Sequence, residues 1–186
     1  SAPLSLESGM DVLIIFVIAA ALYDLKFKKI PNLLNLTCAI LMIGMHTVTG
    51  GLSGFLGSFA GLALGMIVML GPYVLGMMGG GDVKLMAAVG AGLGPSLTLH
   101  AILITCLAGG LYAFLILLFH PRIFKRFILN IKDTFLIFLG TKKFSYSPAD
   151  RENRLPTLCY GVPIAVGTIS TIAMSASGFS VWTLLK

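Results

Sequence analysis

Residues 97–119 read LTLHAILITCLAGGLYAFLILLF, twenty-three positions without an aspartate, glutamate, lysine or arginine. A bilayer core about 30 Å thick is crossed by roughly 20 such residues in a helix, so this run is long enough to span. A second uncharged run extends from Pro156 to Leu185. Composition agrees: 57% of the residues are hydrophobic and only 11% charged, with a mean hydropathy of +0.98. Soluble domains carry about 25% charged residues, so this chain has too few to cover a water-facing surface. Lipid is the implied solvent, and a spanning backbone in lipid must satisfy its own hydrogen bonds, which here means helices.

Working outward, six apolar segments can be drawn, roughly 10–24, 33–49, 55–78, 83–95, 97–119 and 157–185. The stretch 120–156 differs in kind. It holds eight basic residues, Arg122 to Arg154, with Asp133, Asp150 and Glu152 among them. Phe127, Ile128, Ile131, Phe135 and Phe138 fall at near-helical spacing beside those charges. The pattern predicts an amphipathic helix lying on the membrane rather than a seventh span, because a crossing helix would bury Lys132 and Asp133 in the hydrocarbon. The expected fold is therefore all-α: a polytopic protein of six transmembrane helices with a cytoplasmic amphipathic helix between the fifth and sixth. Ser1 to Gly9 look unlike the rest and read as a foreign extension before a natural start at Met10. Residues 10–186 then form one membrane-embedded domain with a loop at 120–156.

The positive-inside rule orients it. If the 24–32 connection faces the cytoplasm, residues 78–83 and 120–156 lie on that side too, and every lysine and arginine except Lys186 is cytoplasmic. The net charge of +6 is then a topology signal and an affinity for anionic lipid headgroups. Nucleic-acid binding is the rival explanation of a basic chain, but these charges flank membrane segments without interleaved aromatics. Cys38, Cys106 and Cys159 are scattered through or beside apolar runs and show neither metal spacing nor a disulfide framework. His46, His100 and His120 are too dispersed for a metal site or a triad. No metal and no cofactor are expected.

Seven acidic residues exist. Glu7 and Asp11 belong to the amino-terminal end, and Asp133, Asp150 and Glu152 to the charged loop. Asp24 and Asp82 remain, each at the cytoplasmic end of a span. Alone, Asp82 could be a helix N-cap and Asp24 an interfacial partner of Lys26, Lys28 and Lys29. Their shared side and depth favour a joint role. From Val12 to Tyr23, and from Val83 to Gly94, the apolar runs are too short to cross the hydrocarbon at about 1.5 Å per residue, which sets both carboxyls at or below headgroup level. Gly79, Gly80 and Gly81 strip side chains from the backbone before Asp82, leaving room for an extended peptide. Two close carboxyls tend to share one proton; the ionised one can activate water while the protonated one polarises a carbonyl. Helix dipoles predict that Asp82, near an N-terminus, favours the carboxylate and Asp24, near a C-terminus, the acid.

Gly79-Gly80-Gly81-Asp82 fits the Gly-x-Gly-Asp signature of membrane aspartyl peptidases. The segment from Asp24 through Lys26 to Pro31-Asn32 resembles the other catalytic segment of the type IV prepilin peptidases. Leu155-Pro156 to Tyr160-Gly161-Val162-Pro163 resembles their last span. The resemblance covers nearly the whole chain from Met10. It implies an enzyme of the bacterial inner membrane that removes short basic leaders from prepilins or pseudopilins at the cytoplasmic face. Asp24 and Asp82 would be its catalytic pair, with Lys26, Pro31, Asn32, Gly79, Gly81 and Lys84 shaping or supporting the site. A lysine such as Lys84 or Lys26 could receive the glutamate that pilins of this family carry after the cleavage point. Larger members add a Cys-x-x-Cys pair and an N-methyltransferase function. Neither cysteine pair nor a preceding span occurs here, so the resemblance is to the short, peptidase-only forms, most of all that of tight-adherence (type IVb) pili; the archaeal preflagellin peptidases are also short.

Two other classes fit an apolar chain with aspartates: a small transporter with carboxylates at mid-membrane, and a non-catalytic assembly factor that binds pilin helices. The methionines read as helix packing. Gly57, Gly61 and Gly65 predict a small-residue ridge for close helix contact.

Overall fold

A computed structural model describes residues 4–74, 78–119 and 159–177. The chain divides into two compact units, residues 1–109 with 159–186, and residues 110–158; of the second, only residues 110–119, the end of a long helix, are described. The expected amphipathic helix at 120–156 lies outside the described residues.

Helix α1 spans Leu4–Phe27. It begins earlier than the apolar run suggested, taking residues 4–9 into the same helix, so its length at about 1.5 Å per residue reaches roughly 36 Å. It ends where proline chemistry requires. Ile30 precedes Pro31, and a residue before proline is pushed out of the helical region. Lys28 closes the helix in a left-handed conformation (φ 52°), its N–H still reaching the Asp24 carbonyl at 2.7 Å. The Pro31 carbonyl accepts the Asn35 N–H at 3.4 Å, which starts the next helix.

Helix α2 covers Asn32–Val74 and α3 covers Gly80–Phe119, each broken once by a glycine. Gly51 (φ 58°) and Gly94 (φ 72°) adopt backbone angles that cost glycine little and other residues much. Both breaks are sharp reversals. A side chain at Gly54 would run into the His46 carbonyl, and the Thr98 hydroxyl reaches the Gly90 carbonyl at 3.5 Å. In a straight helix, residues eight apart are about 12 Å apart. Each long helix is thus two arms, 32–50 with 52–74, and 80–93 with 95–119. Helix α4, Gly161–Ala176, completes six helical segments among the described residues, and these overlap the six apolar stretches read from the sequence. Two helices, Asn32–Val74 and the Gly80–Leu115 part of α3, are long and apolar enough to cross a membrane.

The arm 80–93 is the centre of the bundle: Leu85, Met86, Ala88, Val89 and Ala91 are wholly buried. The first arm of α2 runs parallel to it, tied at one end by Asn35 to Gly81 and at the other by His46 to Gly92. The second arm of α2 runs antiparallel. Gly61 abuts Gly90 so closely that a side chain on either would overlap the other's carbonyl, and Gly65 lies against Met86. Ser58 donates to the Ala91 carbonyl at 2.7 Å. The predicted ridge is therefore real at Gly61 and Gly65, whereas Gly57 faces open space. Helix α4 packs against α3 through Gly167, against Ala101 and Thr105. The bundle's outside is apolar: Ile15, Leu22, Ile40, Leu56, Ile67 and Leu107 are exposed.

Candidate active site

Asp24 sits one turn before the end of α1 and Asp82 in the first turn of α3. The fold brings the two together. Each is buried, 5% and 6% exposed. The charge on Asp24 acts on Asp82, and both act on the thiol of Cys159. These are ionisable groups buried at one end of the bundle, with the reversals at Gly51 and Gly94 at the other.

The two carboxyls are held in the same way by different means. Asp82 Oδ2 accepts the Gly79 N–H at 2.9 Å, while the Asp82 N–H bonds the Gly79 carbonyl at 3.1 Å. This is the reciprocal arm of a capping box, with glycine in place of the serine or threonine. Asp24 Oδ2 accepts the Gly161 N–H at 3.0 Å. Gly161 opens α4, so that N–H is one of the donors a helix start leaves free. The dipole argument made from sequence is incomplete for this reason. It counted the C-terminus of α1 but omitted α4, whose N-terminus points at the same carboxylate. Neither Asp24 Oδ1 nor Asp82 Oδ1 is among the buried atoms lacking a partner, and neither has a hydrogen bond among the described residues. One oxygen of each carboxyl is thus held by a backbone N–H, and the other accepts no hydrogen bond among the described residues.

The glycine spacing has a physical account. A methyl group on Gly79 would stand 3.3 Å from Asp82 Oδ2; one on Gly81 would stand 3.2 Å from Ile30 Cβ; one on Gly80 would meet only Tyr73 at ordinary contact distance, 3.5 Å. The first glycine lets the carboxylate fold back onto its N–H. The last lets the Ile30-Pro31 connection lie against the turn. The middle one has room.

Two side chains tie the α1–α2 connection to this turn. Asn35, 3% exposed, donates Nδ2 to the Gly81 carbonyl at 3.0 Å. Lys84 donates to Asn32 Oδ1 at 3.0 Å on the exposed side. Of the six predicted supporting residues, Gly79 holds the Asp82 carboxylate, Gly81 lies against Ile30, the neighbour of Pro31, and Lys84 and Asn32 bond each other. Lys26 is exposed, its ammonium 5.3 Å from the Phe27 ring centroid, and nothing among the described residues ties it to the pair. Sequence reasoning missed Asn35 and the roles of Cys159 and Gly161. The Cys159 thiol points at the Asp24 carbonyl, Sγ to O 3.7 Å. Among the described residues no three His, Cys, Asp or Glu side chains gather as a metal site would need.

Apolar outer faces around a buried carboxyl pair define an all-helical membrane protein with a polar site at one end of its bundle. Residues 12–114 match the model of the type IV leader peptidase family, and the chain belongs to that family of prepilin-processing proteases. The matched span contains both aspartate segments; residues 159–177 lie beyond it. No curated protein and no solved structure matches the chain.

Proposed function

We propose that the chain is an aspartyl endopeptidase in which Asp24 and Asp82 together hydrolyse the bond between a short basic leader and the apolar helix of a type IV prepilin or pseudopilin. The observation that supports it most is the matched pair: two buried carboxyls within each other's field, each with Oδ2 held by a backbone N–H. Two such groups share one proton. The ionised carboxylate takes a proton from water as the water oxygen attacks the scissile carbonyl carbon. The protonated carboxyl donates a hydrogen bond to the carbonyl oxygen. Collapse of the tetrahedral intermediate breaks the C–N bond, and the amine leaves with a proton from the carboxyl pair.

In this reading the protein is a six-span enzyme of the bacterial inner membrane, with the pair at its cytoplasmic face among anionic headgroups. The substrate's own apolar helix reaches the site by lateral diffusion. The enzyme cleaves without N-methyltransferase activity and belongs with the short forms that serve tight-adherence pili.

The test is cleavage of a candidate prepilin co-expressed in membranes with wild type, Asp24→Asn or Asp82→Asn, read as a mobility shift. Loss of the shift in both variants at normal protein levels supports the pair. Full cleavage by either one ends the two-carboxyl mechanism and brings back the transporter and assembly-factor readings.

A further inference from the structure

We propose that Asn35 is a positioning residue for Asp82: its amide fixes the Gly81 carbonyl and, through it, the backbone from which the Asp82 carboxyl is presented. The proposal rests on the peptidase reading above and assigns Asn35 no contact with substrate.

Asn35 lies in the first turn of α2, forty-six residues from its partner, and is 97% buried by its 3% exposure. Its Nδ2 reaches the Gly81 carbonyl at 3.0 Å, while its Oδ1 is buried with no partner. Rotating the amide would set Oδ1 against the Gly81 carbonyl, acceptor facing acceptor, so only one orientation works. A buried acceptor without a partner is rare and unfavourable. A leucine of similar size would avoid that penalty and still fill the space. What the asparagine adds is the donor, and the donor goes to the residue immediately before Asp82. The other contact on Gly81 is with Ile30, which limits approach but gives the carbonyl no direction. The Lys84 to Asn32 bond also joins these segments, but it is exposed. Asn35 is thus the buried hydrogen bond that orients this turn from α2.

The experiment measures prepilin cleavage by the purified full chain in lipid nanodiscs, as kcat and KM, for wild type, Asn35→Asp and Asn35→Leu between roughly pH 5 and pH 8. Asn35→Asp keeps the shape. Ionised, it has no donor for Gly81, and its kcat near neutral pH falls by about tenfold or more, as misplaced reacting groups do. Burial favours the neutral carboxyl, so its pKa lies above the ordinary aspartate range. As the pH falls through that value, the new O–H can donate to the Gly81 carbonyl, and the ratio of variant to wild-type kcat climbs. Asn35→Leu offers no donor at any pH: its ratio stays low and flat, with KM within about twofold of wild type. A merely structural role would lower the melting temperature in step with kcat, and the uncharged Asn35→Leu separates loss of the donor from the charge that ionised Asn35→Asp brings near Asp82. The proposal is overturned if the Asn35→Asp ratio is flat, or if folded Asn35→Leu keeps kcat within about twofold. Melting temperatures separate misplacement from unfolding, and if Asn35→Leu does not fold, Asn35→Asp alone decides. Asp24→Asn is run beside them. With wild type cleaving and Asp24→Asn inactive, a flat ratio counts against Asn35 and leaves the peptidase reading intact.

Discussion

The two carboxyls face the same demand and meet it at different ranges. Asp82 is held by a residue three positions away, inside its own helix turn. Asp24 is held by Gly161, 137 positions away, across α1 and α4. A local clamp forms whenever the turn forms. A distant one exists only when α1 and α4 are docked, so Asp24 is correctly set only in a completed bundle. The difference also has a steric side. At Gly79 the neighbour is the far end of a side chain that can give way; at Gly161 the neighbours include Asp24 Cβ, which moves only with the helix.

The largest effect is therefore expected at Gly161. A methyl group there would stand 3.0 Å from both Asp24 Cβ and Oδ2, so tight that the side chain or the helix must give way. Gly161→Ala should displace the carboxyl or the start of α4 and lower kcat by about 100-fold, the scale of an ångström-sized misplacement. Prepilin turnover checks this, with protein level in membranes as the control. Activity within twofold of wild type would mean that the distant clamp does not set Asp24.

Gly79→Ala should do less. Its methyl group would lie 3.3 Å from Asp82 Oδ2, a few tenths of an ångström too close, and the N–H donor remains. A loss of about three- to tenfold in kcat is expected, with Gly80→Ala nearer to wild type because only Tyr73 faces it, at 3.5 Å. A rank order of Gly161, Gly79, Gly80 in the same turnover assay supports the comparison. The reverse order would break it.

Range in sequence also explains what could be read in advance. Gly79 to Asp82 and Asp24 to Asn32 were legible because their meaning is local: a proline that stops a helix, glycines that clear a turn, carboxyls at helix ends. The apolar runs foretold helices; the reversal at Gly51 falls between two of them, and that at Gly94 just inside the end of another. Asn35 was invisible, being one polar residue in an apolar helix whose partner lies 46 residues on. The Gly161 contact is invisible for the same reason at greater distance, 137 residues. Gly57 shows the opposite error. It continues the four-residue spacing of Gly61 and Gly65, yet faces open space, because a ridge is used only as far as the neighbouring helix reaches.

The bond from Lys84 to Asn32 sharpens the comparison, because it is long-range and exposed at once. It spans 52 residues, yet water competes for both of its ends, and exposed polar ties contribute about 0–1 kcal/mol. Lys84→Met should therefore shift stability by less than about 1 kcal/mol, read as the melting temperature in detergent. Its effect on Asp82 should be smaller than that of Asn35→Leu, whose tie is buried. If Lys84→Met instead unfolds the protein, distance in sequence rather than burial governs what a tie contributes here. A stable Lys84→Met with raised KM and unchanged kcat would place the lysine on the substrate side of the turn, free to exchange Asn32 for a carboxylate of the incoming helix.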